Sequence, residues 1–203
     1  MHRAPFLLLL LVFLLVGAND PPLVPAKIEF DGKDGKEVFR IDPEGPEAEL
    51  QSGAGRKTLA TYARAGDAIT IELPKKDALS RVTADRKGAK YLLSGPDGKT
   101  RWRLEREPDG DWELLDAAGK EHAKLKLRDD GFKVVDAEDT ERGRVKKKED
   151  KLSLRNAAGE EILRTRDTRD ELAAACFLLP GLTFPEKGGF ALALIVLPPA
   201  PRE

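Results

Sequence analysis

The chain has 203 residues, 35% of them charged, yet 35 Lys and Arg against 36 Asp and Glu leave a formal net charge of −1. That length suits one domain with its own core, and so even a balance gives no overall attraction toward nucleic acid or acidic partners. A single cysteine, Cys176, excludes an internal disulfide framework, and 18 Gly and 14 Pro without a period exclude a collagen-like chain.

The apolar residues are unevenly placed. His2 and Arg3 precede a run from Phe6 to Ala18 that is entirely apolar or small, and Val16-Gly17-Ala18 sets modest side chains where a signal peptidase reads. This pattern predicts a secretory signal peptide over residues 1–18 and an exported protein, in the periplasm, at the cell envelope or outside the cell. The run of 13 residues is short of the roughly 20 that span a bilayer as a helix. Residues 19–26 hold Pro21, Pro22 and Pro25 and read as an extended linker. A single domain is expected over 27–197, with a short tail at 198–203.

From Lys27 to Asp170 charge dominates, punctuated by single apolar residues. Four stretches superpose at a spacing of 20 or 21: those beginning at Tyr91, Trp112, Phe132 and Leu152. Each starts with apolar residues at i and i+2, namely Tyr91 and Leu93, Trp112 and Leu114, Phe132 and Val134, Leu152 and Leu154. Period two is a strand with one buried face. A turn follows, often with Asp or Asn first and Gly fourth, as in Asp116-Ala117-Ala118-Gly119. The same punctuation is read at Asp42-Pro43-Glu44-Gly45. The return strands alternate again, with Ala123, Leu125 and Leu127 set between His122, Lys124, Lys126 and Arg128. The unit is a β-hairpin, and hairpin repeats over 91–165 join into an antiparallel meander or barrel. Weaker alternation at Lys27 to Phe30, Val38 to Ile41, Leu59 to Arg64 and Ala68 to Leu73 brings the expected total to about a dozen strands.

The C-terminal region, 171–197, breaks the pattern. Leu172 to Leu179 and Phe190 to Leu197 have no polar face, which predicts hydrophobic segments buried on every side, inside the sheet or against it. Ala and Leu favour helix in the first piece, Ile195-Val196 leaves the second open between helix and strand, and Pro180-Gly181 and Pro185 to Gly189 are read as separating them. A mainly β chain built from hairpins over 91–165 and followed by the apolar stretch 172–197 resembles the tubby-like superfamily, which includes tubby C-terminal domains, LURP-one-related proteins and phospholipid scramblases. Its members close about a dozen antiparallel strands around a hydrophobic helix. The resemblance implies binding to phospholipid headgroups or a membrane surface, with no catalytic site.

Catalytic chemistry finds little material. Beyond the signal peptide His122 is the only histidine, on the solvent side of its strand, and no G-x-S-x-G is present. Cys176 lies in an apolar run and reads as a buried thiol. The carboxylates Asp31, Asp34, Asp109, Asp111, Asp129, Asp130, Asp136 and Asp139 suit turns and match no calcium loop. No metal or cofactor is expected. The outward cations of the return strands are more suggestive: Arg101 and Arg103, then Lys124, Lys126 and Arg128, then Arg142, Arg144 and Lys146. On one shared face they form a basic stripe able to hold anionic lipid headgroups or acidic glycans. No aromatics interleave with it, so nucleic acid is not an expected partner. The expectation is a non-enzymatic exported binding or structural module. The alternative is a membrane-associated, scramblase-like or lipid-transfer protein whose C-terminal segments touch the bilayer. Oligomeric state is not specified.

Overall fold

The computed structural model describes residues 23–200 apart from 25, 54, 75–78, 88 and 169. The expected signal peptide, residues 19–22 and 25 of the linker, and 201–203 of the tail lie outside the described residues.

Among the described residues, fourteen antiparallel strands close into one barrel in which every strand pairs with its neighbours in the chain and β1 pairs with β14. They are β1 Ile28–Asp31, β2 Glu37–Glu44, β3 Glu47–Ser52, β4 Thr58–Arg64, β5 Ala68–Glu72, β6 Leu79–Asp85 and β7 Lys90–Ser94. The second half comprises β8 Thr100–Arg106, β9 Trp112–Asp116, β10 Glu121–Arg128, β11 Gly131–Asp136, β12 Glu141–Lys148, β13 Lys151–Asn156 and β14 Glu161–Thr165. The inward residues are the alternating apolar ones: Tyr62, Tyr91, Leu93, Leu104, Leu114, Ala123, Leu125, Val134 and Leu154 are all buried. Closure is thin at the seam, where Asp31 opposite Arg164 is the one paired position between β1 and β14. There the Asp167 carboxylate accepts the Glu29 N–H at 2.7 Å, standing in for a strand partner.

Turns along one end of the barrel share a mechanism. Asp116 Oδ1 accepts the N–H groups of Ala118 and Lys120, Asp136 Oδ1 those of Glu138 and Thr140, and Asn156 Oδ1 that of Glu160. Three residues beyond each Asx side chain the backbone turns left-handed, at Gly119 (φ 84°), Asp139 (φ 60°) and Gly159 (φ 81°). Asp fills the place of glycine once because its short side chain tolerates that region.

Two strands, β3 and β6, exceed the sequence expectation, and the turn read at Asp42-Pro43-Glu44-Gly45 is corrected. Residues 42–44 complete β2, and the chain reverses between Glu44 and Glu47, which face each other. Proline is tolerated at position 43 because β2 has by then outrun β1, whose pairing reaches only Ile28 opposite Ile41. β3 (EAELQS) and β6 (LSRVTAD) have few apolar residues, so periodicity alone marks them weakly.

The C-terminal region is helical: α1 Glu171–Ala175, a 3-10 turn Cys176–Leu178, and α2 Phe184–Val196. Asp170 caps α1 by accepting the Ala173 N–H at 2.8 Å. The break expected at Pro185 to Gly189 does not occur, because these residues form the first turns of α2. Pro185 sits where a helix needs no N–H, and Glu186 reaches back to accept the Thr183 N–H at 2.8 Å. Gly188 and Gly189 are required by close approach: a Cβ on Gly188 would stand 2.2 Å from the Tyr62 hydroxyl, and one on Gly189 2.4 Å from Ile71 Cδ1.

α2 lies against β4–β7 and α1 against β11–β13, and the two helices touch each other. Two phenols tie α2 to the wall. The Tyr62 hydroxyl donates to the Pro185 carbonyl at 3.0 Å and the Tyr91 hydroxyl to that of Leu197 at 2.7 Å. Burial pushes both phenols above their ordinary range, so they remain neutral donors. Phe190, Leu192 and Ala193 of α2 are fully buried. Among the described residues no helix is long and apolar enough to cross a membrane.

Candidate anion-binding face

Inward positions carry the core, so chemistry on the outer wall falls to the intervening residues. On β10–β13 these are mostly cations. The register places Lys126 opposite Lys133, Lys133 opposite Arg144, and Arg144 opposite Arg155, a row of four like charges on four adjacent strands. Strands lie about 4.8 Å apart, so the row is about 14 Å long. Like charges directly opposite one another in a sheet oppose pairing. A second row, one step of two residues toward the barrel end, holds Arg128, Gly131, Lys146, Ser153 and Arg164.

Carboxylates temper the rows without balancing them. Lys126 pairs with Asp139 at 2.6 Å, Lys146 with Asp130 at 2.7 Å, and both Lys133 (3.6 Å) and Arg144 (2.5 Å) share Glu141. Hydrogen bonds from their basic partners hold the Asp130, Asp139 and Glu141 carboxyls below the usual range. Arg155 stands opposite Glu161 in the register, but among the described residues it forms no ion pair: its Nη1 donates to the Gly159 carbonyl at 2.8 Å, and its Nε is buried without a hydrogen-bond partner. A cleft of about 710 Å³ opens beside the β10–β11 hairpin. Four cations, Arg128, Lys133, Arg144 and Lys146, line it with two acids, Asp129 and Asp130, around Leu127, Phe132 and Val145.

The eight basic residues singled out in the sequence are therefore divided. Lys126, Arg128, Arg144 and Lys146 come together. Lys124 is turned toward Glu113 at 2.6 Å and Glu121 at 3.7 Å, and Arg142 toward Asp136 at 2.7 Å. Arg101 and Arg103 do not join the rows, because β9 intervenes and sets Glu113 between Glu105 and Lys124. Arg103 pairs with Glu105 at 3.4 Å, and Arg101 reaches Glu186 of α2 at 3.3 Å. Sequence reasoning missed Lys133 and Arg155. Lys133 lies between the buried Phe132 and Val134 on an outgoing strand, so the alternation that found the cations of the return strands marks it too.

His122 rests edge-on against Trp102, with ring centroids 4.9 Å apart, and its Nε2 is 3.2 Å from Asp116 Oδ2. Cys176 is fully buried, which raises its thiol well above the ordinary range. Among the described residues no group of three or more His, Cys, Asp or Glu is placed to hold a metal ion. Compared with protein-family models, curated proteins and solved structures, the chain matches none.

Proposed function

We propose that the protein is an exported, non-enzymatic β-barrel module that binds anionic groups across the outer wall of β10–β13. The ligand chemistry is that of acidic lipid headgroups or acidic glycans, both of which present anions to a surface. The row Lys126, Lys133, Arg144 and Arg155 carries the reading, since a sheet gains nothing in stability from facing cations and breaks of a local rule concentrate at functional sites. The cleft beside it adds room and an excess of positive lining. In this reading hairpin units of about 20 residues, like those spaced between Asp116, Asp136 and Asn156, are the building block that repeats outward cations at regular positions. The apolar helices serve as a plug holding the wall in shape, an arrangement that resembles the tubby-like superfamily.

The test is co-sedimentation with vesicles of phosphatidylcholine alone or mixed with phosphatidylserine, alongside a soluble sulfated polysaccharide. Salt-sensitive binding to the mixed vesicles identifies a lipid surface, and binding to the polysaccharide alone identifies a glycan. Lys133→Glu/Arg144→Glu is expected to abolish either. Equal binding to neutral vesicles, or no loss in the double variant, would reject the proposal.

A further inference from the structure

The near-zero net charge conceals a division of the barrel into two faces of opposite sign. The strands β10–β13 carry eleven Lys or Arg against three acids, Glu121, Asp136 and Glu141. The strands β2–β5 carry six acids against two arginines, Arg40 and Arg64. β6–β9 separate the two groups on one side and β14 with β1 on the other.

The acidic face is laid out on the same register logic. Asp42 faces Glu49, Glu49 faces Thr61, and Thr61 faces Glu72, while Glu44 faces Glu47 in the adjoining row. Asp42 is matched by Arg40 at 2.6 Å, but Glu44, Glu47, Glu49 and Glu72 form no ion pair with any described residue. Glu44, Glu47 and Glu72 are exposed. Among the described residues, side-chain hydrogen bonds to Glu49 from Gln51 (2.7 Å) and Thr58 (3.0 Å) are the only ones that anchor any of the four.

We infer that this chain associates with a second copy of itself head to tail, the outer wall of β2–β5 on one molecule seated against the outer wall of β10–β13 on the next. Charge complementarity selects the occupant. Both faces present charges on one mesh, about 4.8 Å across strands and roughly 6.7 Å along them, so Glu44, Glu47, Glu49 and Glu72 match the pitch of Lys126, Lys133, Arg144 and Lys146. The contact is heterologous: a pair retains one free acidic face on one molecule and one free basic face on the other, so association continues beyond a dimer. Two convex walls meet over a limited area and exposed ion pairs contribute little each, so the complexes are transient and salt-dependent. The inference goes beyond the ligand reading and rests on the charge division alone. A soluble anion on β10–β13 would compete with the neighbouring copy.

Sedimentation velocity of the purified protein tests it, at about 0.01 M salt, where charges act over about 30 Å, and at about 0.15 M, where they act over about 8 Å. The expected result is a weight-average mass that rises with protein concentration to roughly twofold or more at low salt and returns to the monomer at high salt. Glu47→Lys/Glu49→Lys and Lys133→Glu/Arg144→Glu are each expected to stay monomeric, and an equal mixture of the two to associate again, which an unfolding artefact would not do. A monomeric native protein at low salt, or association that survives either reversal, overturns the inference. Glu47→Gln/Glu49→Gln separates the two proposals, since it should lose self-association and keep vesicle binding. Failure of vesicle binding with self-association intact would remove the ligand reading and leave this one standing.

Discussion

The walls formed by β2–β5 and by β10–β13 are built alike and charged oppositely. Both bury alternate residues, Ala48, Leu50, Tyr62 and Ile71 on one and Ala123, Leu125, Val134 and Leu154 on the other, and both lie against a C-terminal helix. Their outward residues differ almost completely, with Glu44, Glu47 and Glu49 on the first and Lys126, Lys133 and Arg144 on the second. The inward half of the alternation is under the control of packing and the outward half is not, so a single architecture leaves the sign of each face open to be used.

What the two walls share can be broken first. Removing residues 171–203 would strip the cover from both inner faces at once, exposing Tyr62, Tyr91 and their apolar neighbours. The expected outcome is loss of cooperative thermal unfolding and strong binding of a hydrophobic dye, and a sharp transition in the truncated chain would show that the walls stand without the helices. A smaller change acts on the β2–β5 side alone. Gly188→Ala gains about 1 kcal/mol in helix propensity but drives a methyl group into the Tyr62 hydroxyl. Overpacking of this kind costs about 1–3 kcal/mol, so a net loss in denaturant midpoint is expected, relieved in part by Tyr62→Phe.

On the basic wall, pairing with acids adds a dependence on pH. Hydrogen bonds from Lys146, Lys126 and Arg144 lower the Asp130, Asp139 and Glu141 carboxyls from ordinary values of 3.8, 3.8 and 4.5. A depressed folded value means that these groups contribute stability above the ordinary range and lose it as pH falls through the lowered one. The melting temperature is therefore expected to hold level from neutral pH to about 5 and to fall below about 4, as unmasked cations face one another. A decline that begins near neutrality would point to other groups. The smallest effect is on the row itself: Lys133→Gln removes a like-charge neighbour on each side and should raise stability by about 0.2–1 kcal/mol. A loss of stability would mean that Lys133 serves the fold.

How much of this was legible depends on which half of the alternation is considered. A mainly β, antiparallel chain follows from pairs such as Tyr91 and Leu93 or Leu125 and Leu127. β3 and β6 were hidden because Ala48 with Leu50, and Val82 with Ala84, are too sparse to stand out beside their charged neighbours. The start of α2 was hidden by Pro185 and the glycine pair, residues that end helices in general but here begin one and admit Tyr62 and Ile71. The cap between Thr183 and Glu186 was the available signal. Among the candidate site residues, alternation identified outward cations but not neighbours, because which strands adjoin is a property of topology. Arg101 and Arg103 therefore counted with Lys126 and Arg144 until β9, with Glu113, came between them.

The division of charge is tested most directly by two neutralisations that change net charge equally at different places. Lys133→Gln/Arg144→Gln removes two cations from β11 and β12, and Arg81→Gln/Arg103→Gln removes two outward cations from β6 and β8. Binding to phosphatidylserine-containing vesicles, followed as a function of salt, should weaken and lose salt dependence in the first variant and stay close to the native protein in the second. Equal losses in both would mean that binding follows total charge, and the account of a specialised β10–β13 wall would be contradicted.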